Sequence, residues 1–205
     1  MLVKRLLHNT VFAATTAGNV IFDPYLTDKY KGELPKADHI FITHSHYDHF
    51  SPEDILRVAS KDAKIICPPS LREQCAKVLP VTEYVNGLDI TLIPAYNRSK
   101  PFHKKQDGGV GYLINDGEAS LYVAGDTDYT DEAAAVRCDI AALPIGGTYT
   151  MDVQEAVQCV LAIMPKAVIP THYGDIDSVA GEEAATLFAS LLPKEVECLV
   201  FKAER

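Results

Sequence analysis

The chain has 205 residues, of which 47% are hydrophobic and 23% charged, a composition that supports a packed core and excludes disordered and collagen-like classes. At roughly 150 residues per domain this length predicts one domain over 1–205. Nineteen Lys and Arg against 28 Asp and Glu leave a formal charge of −9, which repels a phosphate backbone and argues against a nucleic-acid partner.

Residues 1–7 faintly imitate a secretory leader, but His8, Asn9 and Thr10 interrupt the apolar run, and no segment approaches the ~18 apolar residues of a membrane span. A buried strand is predicted over 40–43. Ser51, Pro52 and Asp54 then supply an N-cap, a first-turn proline and an acidic third position for a helix running to about Ser60. The same order repeats with a strand over 64–67 and a helix capped by Ser70 with Glu73 at its third position. Asn86-Gly87 between apolar runs at 81–85 and 88–93 predicts a hairpin with a type I′ turn, and a second hairpin is expected from 110–114 and 119–123. Alternating order returns with a strand over 140–143, a helix capped by Asp152 and Glu155 and stopped by Pro165, a strand over 167–169, a helix over 182–192 and a closing strand over 196–201. The pattern is that of a layered α/β domain. Five widely spaced cysteines without a C-x-x-C pair argue against a disulfide framework or a cysteine-type zinc knuckle, and suit a reducing cytoplasm.

The informative stretch is His44-Ser45-His46-Tyr47-Asp48-His49, directly after the first predicted buried strand. Imidazole nitrogen and carboxylate oxygen are characteristic ligands for Zn²⁺, and a tight loop leaving a strand can fan such groups into one pocket. The spacing can serve two ions, with His44 and His46 on one and Asp48 and His49 on the other. Four residues are too few for two metals. Three later segments, each a strand-like run, lead to a further ligand type: His103, Asp126 and His172. The carboxyl ends of strands are where α/β sheets place their sites.

The motif His44-x-His46-x-Asp48-His49, with Asp126 after Gly125 and His172 at the end of a late strand, resembles the metallo-β-lactamase superfamily over essentially the whole chain. Residues 143–151 and 169–173 are similar to a branch of metal-dependent hydrolases that includes L-ascorbate 6-phosphate lactonase. The resemblance implies an αββα sandwich, with two mixed sheets between helical layers. It also implies a dinuclear site with His44, His46 and His103 on the first metal, Asp48, His49 and His172 on the second, and Asp126 bridging. Asp23 matches an early aspartate that holds the site loop without being a ligand. Many members of that branch carry the third ligand just after the equivalent of Pro94-Ala95. Here Tyr96-Asn97-Arg98 stand there, and His103 is the only histidine in the loop.

Two divalent cations, zinc first with manganese or iron as alternatives, would supply a hydroxide at neutral pH. The expected enzyme is a metal-dependent hydrolase of a small ester, lactone or phosphoester. Asp48 is expected to hold the hydroxide's proton, and Tyr149 or Thr148 to reach a substrate oxygen. Arg98, Lys100, Lys104 and Lys105 cluster around His103 and predict an anionic substrate. The partner is thus a small molecule, with neither nucleic acid nor membrane, and a homo-oligomer stays open. Di-iron oxygen or nitric oxide reductases resemble the motif but place Glu where His46 stands, which favours iron. RNA-processing nucleases share the motif but carry a further RNA-binding part. A metal-binding or sensor protein without turnover is the alternative, since ligands alone do not prove catalysis.

Overall fold

The computed structural model describes residues 1–201. The chain opens with three strands, β1 (Leu2–Leu7), β2 (Thr10–Thr15) and β3 (Gly18–Phe22), followed by β4 (Ala37–Phe41), helix α1 (Pro52–Val58), β5 (Ala59–Ile66) and the one-turn helix α2 (Arg72–Cys75). Then come β6 (Asp89–Pro94), β7 (Val110–Asn115), β8 (Ser120–Val123), α3 (Asp131–Ala134), β9 (Ile140–Pro144), α4 (Val153–Ile163), β10 (Ala167–Thr171), α5 (Glu182–Leu191) and β11 (Glu197–Cys198). The strands form two mixed sheets, one ordered β1-β2-β3-β4-β5 and the other β11-β10-β9-β8-β7-β6.

The period-2 alternation of side chains explains the layering. In β3, Val20 and Phe22 face the space between the sheets while Ile21 faces outward, and in β4 Phe41 faces inward between Ile40 and Ile42. The second sheet does the same: Leu121, Val123, Ala142 and Ile169 point to the inter-sheet core, while Tyr122, Ala141, Leu143 and Val168 point away. Each outward face is apolar and needs its own cover. Ile55 and Val58 of α1 with Leu71 and Cys75 cover the first sheet, and Ala156, Val160, Ala184 and Phe188 of α4 and α5 cover the second. The result is the expected αββα sandwich.

Strand directions decide where the site lies. β1 and β3 are each antiparallel to β2, and β4 is parallel to β3, so all three end at one edge of their sheet. By the same reasoning β6, β8, β9 and β10 end at one edge of theirs. The two edges meet: Val110 N donates to Thr43 O at 3.1 Å and His172 N to His8 O at 3.1 Å. Seven strand ends therefore deliver their loops to one place.

Several local expectations hold. Ser51 caps α1, Asp152 and Glu155 form a reciprocal capping box on α4, and the second hairpin is β7–β8. Others are corrected. Helix α1 ends at Val58, and Ala59 already begins a strand. Ser70 caps nothing: it lies inside a 3-10 turn, Pro69–Leu71, that runs into α2. The hairpin over 81–93 reduces to a single bridge between Val85 and Leu88, because Val81 pairs instead with Ile65. Its turn has positive φ at Gly87 alone, the type II pattern rather than type I′. The closing strand is Glu197–Cys198, with Leu199 N adding one bond to Val168 O. Residues 1–7, which imitated a leader, are an ordinary strand of the first sheet. Among the described residues no helix is long and apolar enough to cross a membrane.

Part of the inter-sheet packing is aromatic. The rings of Phe22, Phe41 and Tyr112 lie 4.7 to 6.1 Å apart, all fully buried, and the Tyr112 hydroxyl donates to Ile42 O at 2.8 Å, two residues before His44. Phe41→Ala should cost about 3–5 kcal/mol in denaturant unfolding, the range for emptying a buried phenylalanine site. A loss below about 1 kcal/mol would show that the sheets do not depend on this contact.

Candidate metal centre

The loop carrying His44, His46, Asp48 and His49 is anchored before it is functional. Asp23, fully buried at the end of β3, accepts hydrogen bonds from Thr43 N (2.8 Å), Thr43 Oγ1 (2.7 Å) and Asn9 Nδ2 (3.0 Å). It also contacts His49 Nδ1 at 2.7 Å, which assigns the proton to that nitrogen and leaves Nε2 to face the site. His49 N and Phe50 N both donate to His46 O, closing a turn that throws the side chains to one side.

Two groups of donor atoms result. In the first, His46 Nδ1 lies 3.1 Å from His44 Nε2 and 2.9 Å from His103 Nε2. Three imidazole nitrogens so close are spaced like ligands on one tetrahedral ion, for which Zn–N bonds of 2.0–2.1 Å put nitrogens about 3.3 Å apart. His103 comes in from the loop between β6 and β7 despite its distance from Pro94-Ala95. Its Nδ1 is held 3.1 Å from Tyr149 O, and Asn97 N donates to its backbone carbonyl. The second group is Asp48, His49, His172 and His8. Asp126 stands between the two, with Oδ2 3.3 Å from His103 Nε2 and 3.1 Å from His172 Nε2, and Oδ1 3.2 Å from His49 Nε2.

These residues fit divalent metal. His49 Nε2, His172 Nε2 and Asp126 Oδ1 are buried and make no well-formed hydrogen bond, although they lie within 3.2 Å of an opposite group. Buried polar atoms this close to one another without hydrogen-bond geometry are what a ligand set presents to its ion. The charges agree. Burial works against a charged Asp126, yet the imidazoles of His172 and His49 hold it well below the usual carboxylate range. Burial likewise opposes charge on His172 and His49. Asp126 nonetheless lifts His172 to about 9, and together with Asp23 raises His49 well above its ordinary value. Burial prevails at His44 and His103 and lowers both, favouring the neutral imidazole, which is the form that ligates. The carboxylates thus demand positive charge between the imidazoles, which protons or a metal ion can supply.

All seven residues of the sequence-derived ligand set are brought together, and Asp23 does hold the loop. His8 was missed. It sits in the turn from β1 to β2, fully buried, with Nε2 3.1 Å from Asp48 Oδ2 and its ring 4.2 Å from that of His172. Burial drives it down to about 4, so it meets Asp48 as a neutral N–H donor. The buried cation behind it was also missed. Arg5 Nε donates to His8 O at 2.8 Å and Arg5 Nη2 to Tyr173 O at 2.6 Å, and it pairs with Asp175, tying the His8 turn to the segment after His172. His8, Asp23, His103 and His172 all have positive φ, conformations that cost about 1 kcal/mol or more each in a non-glycine residue and cluster at functional sites. Gly146 is a further device: a Cβ there would fall 2.4 Å from His172 O and 2.9 Å from its Nδ1.

A cavity of about 220 Å³ opens over the donor atoms, walled in part by His46, Tyr47, Asp48, Phe102, Tyr149 and Ile176. Tyr149 is in that wall; Thr148 is exposed and is not. The expected cationic mouth is not built. Lys100 is drawn away by Asp128 and Thr150 O, and Lys105 by Glu132 at 2.6 Å. Arg98 lines no part of the cavity. Lys104 borders only a cleft of about 40 Å³ that shares His46, His103 and Asp126 with the cavity and is also lined by Asp107. Two of the four charges in the sequence cluster, Lys100 and Lys105, are taken up in local ion pairs.

A family model described as a beta-lactamase superfamily domain matches residues 3–172. The chain belongs to the beta-lactamase superfamily. Among curated relatives of this superfamily member, a metal-dependent hydrolase of Thermoplasma acidophilum is 34% identical, with 80% of each chain covered. A solved structure described as a metal-dependent hydrolase from Parabacteroides distasonis superposes with a TM-score of 0.81 at 26% identity, covering 98% of this chain and 92% of that one. A metallo hydrolase from Ignicoccus hospitalis shares the fold, with a TM-score of 0.77 at 23% identity over 99% and 95% of the chains. The protein is an enzyme, a metal-dependent hydrolase of this superfamily.

If His8 orients Asp48, His8→Ala should weaken Zn²⁺ binding about 10- to 100-fold in a chelator-competition titration, the range for loss of a hydrogen bond to a metal ligand. Unchanged affinity would remove His8 from the site.

Proposed function

We propose that this hydrolase holds two zinc ions and cleaves a small ester, lactone or phosphoester, in the reducing cytoplasm that its unpaired cysteines suit. His44, His46 and His103 would hold one ion, Asp48, His49 and His172 the other, with Asp126 between. The observation that carries this reading is Asp126, whose two oxygens lie within 3.3 Å of nitrogens from both groups. Five imidazoles against two carboxylates favour zinc over the carboxylate-richer sites that suit iron, and His46 stands where a di-iron site would place Glu. When bound, such ions lower the pKa of water to about 7 and polarise the bond to be broken.

The chain's own residues supply the rest. Asp48 is held below the ordinary carboxylate range by His172 and His8 even though burial opposes its charge, so it stays ionised. It accepts a hydrogen bond from the attacking water and orients it, and is too weak a base to keep the proton. Tyr149 is in the cavity wall, and among the described residues no group hydrogen-bonds its hydroxyl, which leaves that hydroxyl for an oxygen of the substrate. The site's depth and the chain's net charge of −9 favour a small molecule over nucleic acid.

The test is a panel of lactones, thioesters and phosphodiesters offered to the protein loaded with Zn²⁺, Mn²⁺ or Fe²⁺. Turnover should be highest with Zn²⁺, and His46→Ala should reduce kcat/KM at least about a hundredfold by removing a group shared by the first donor set and the cavity wall. Tight metal binding with no turnover across the panel would contradict the proposal and favour a metal-binding or sensing role.

A further inference from the structure

The cavity above the donor atoms has a chemistry that neither the superfamily nor the metal site dictates. Its walls beyond the metal-type residues are Tyr47, Phe102, Tyr149, Ile176 and Ser178, with no lysine or arginine. The aromatic members are braced rather than loose. Phe102 packs edge-on against Tyr149 with centroids 4.8 Å apart, and Tyr47 against Tyr25 at 5.8 Å. Tyr47 and Phe102 nevertheless remain 67% and 41% exposed, so large apolar surface is held in fixed positions in water at the mouth of a polar site. Of the basic residues that would receive a phosphate or carboxylate tail, Lys100 and Lys105 are paired to acids, Lys104 borders a cleft with room for about one water, and Arg98 is exposed outside the cavity wall.

We infer that the substrate is a neutral ester or lactone carrying a compact apolar or aromatic group next to the scissile bond, seated against Phe102, Tyr149, Tyr47 and Ile176. This rests on the hydrolytic reading above and narrows it, disfavouring substrates that carry an anionic tail away from the scissile bond. A cavity of about 220 Å³ has the room of roughly seven waters, which limits the group to about the size of a phenyl ring or a short alkyl chain. An anionic tail would find no fixed cation in the wall, in a chain of net charge −9. In the reaction the oxygen of water bonds to the acyl carbon and the acyl C–O bond breaks. One proton passes to the departing alkoxide and the other is released from the new carboxylic acid, so the ester and water become an alcohol, a carboxylate and H⁺.

Two measurements on the zinc-loaded protein test this together. The first is binding, by calorimetry, of benzohydroxamic acid and its 4-methyl, 4-ethyl and 4-carboxy derivatives, whose common head group seeks metal whether or not the protein turns anything over. Affinity should rise up to about fourfold per added methylene, and the 4-carboxy compound should bind at least tenfold more weakly than the 4-methyl one. In Phe102→Ala the gain per methylene should fall by half or more. Equal or tighter binding of the carboxylate, or no dependence on the alkyl group in the wild type, overturns the inference. The second is turnover of phenyl acetate, 4-carboxyphenyl acetate and phenyl phosphate. Preference for the neutral ester supports the inference, and preference for either anion overturns it. Absence of turnover with all three, while the binding series behaves as stated, would sink the hydrolytic reading and leave the apolar recognition site standing.

Discussion

Bringing five imidazoles and two carboxylates to within a few ångströms of one another, mostly out of water, is unfavourable unless positive charge meets their lone pairs. The rest of the site follows from that constraint. Asp126 and Asp48 are ionised though buried, His49 and His172 are pulled toward the charged form, and His49 Nε2, His172 Nε2 and Asp126 Oδ1 are buried without a well-formed hydrogen bond. A divalent cation resolves all of these at once, whereas protons resolve only the charge and leave the lone pairs unmatched. The αββα sandwich makes this arrangement affordable by placing it at an edge where seven strand ends converge and three apolar clusters lie behind.

Positioning comes from groups that do not themselves face the cavity. Asp23 fixes Thr43 and His49 at the root of the ligand loop, Tyr112 ties the second sheet to Ile42 just upstream, and Arg5 joins the two segments that carry His8 and His172. Gly146 clears the space that His172 occupies. The strained backbone at His8, Asp23, His103 and His172 is held by these contacts, so the geometry is set by the scaffold rather than by the donor atoms' own preferences.

Much of this was legible from the chain because the chemistry is local. His44 to His49 are neighbours in sequence, and Asp126 and His172 end strands whose apolar runs are unmistakable. His8 was not legible, since it occupies a turn between strands that look like any others, and its approach to Asp48 depends on a sheet order that no local pattern reveals. The first three strands were missed for a related reason: their apolar residues serve two cores at once and do not alternate cleanly. Asn86-Gly87 misled in the opposite way. Its local turn signal is real, but Val81 finds a better partner in Ile65, and tertiary pairing overrides the hairpin. The basic loop misled because acids distant in sequence, Asp128 and Glu132, fold against it and pair with Lys100 and Lys105, while Arg98 lies outside the cavity wall.

The central claim is that one carboxylate, Asp126, sits between two cation sites. It is tested most directly by counting zinc per chain by elemental analysis and native mass spectrometry after loading and desalting without chelator. Two ions per wild-type chain, with retention of at least one lost in Asp126→Asn, is the expected result. A wild-type chain that retains one ion or none, or an Asp126→Asn variant that keeps two with undiminished affinity, would contradict it.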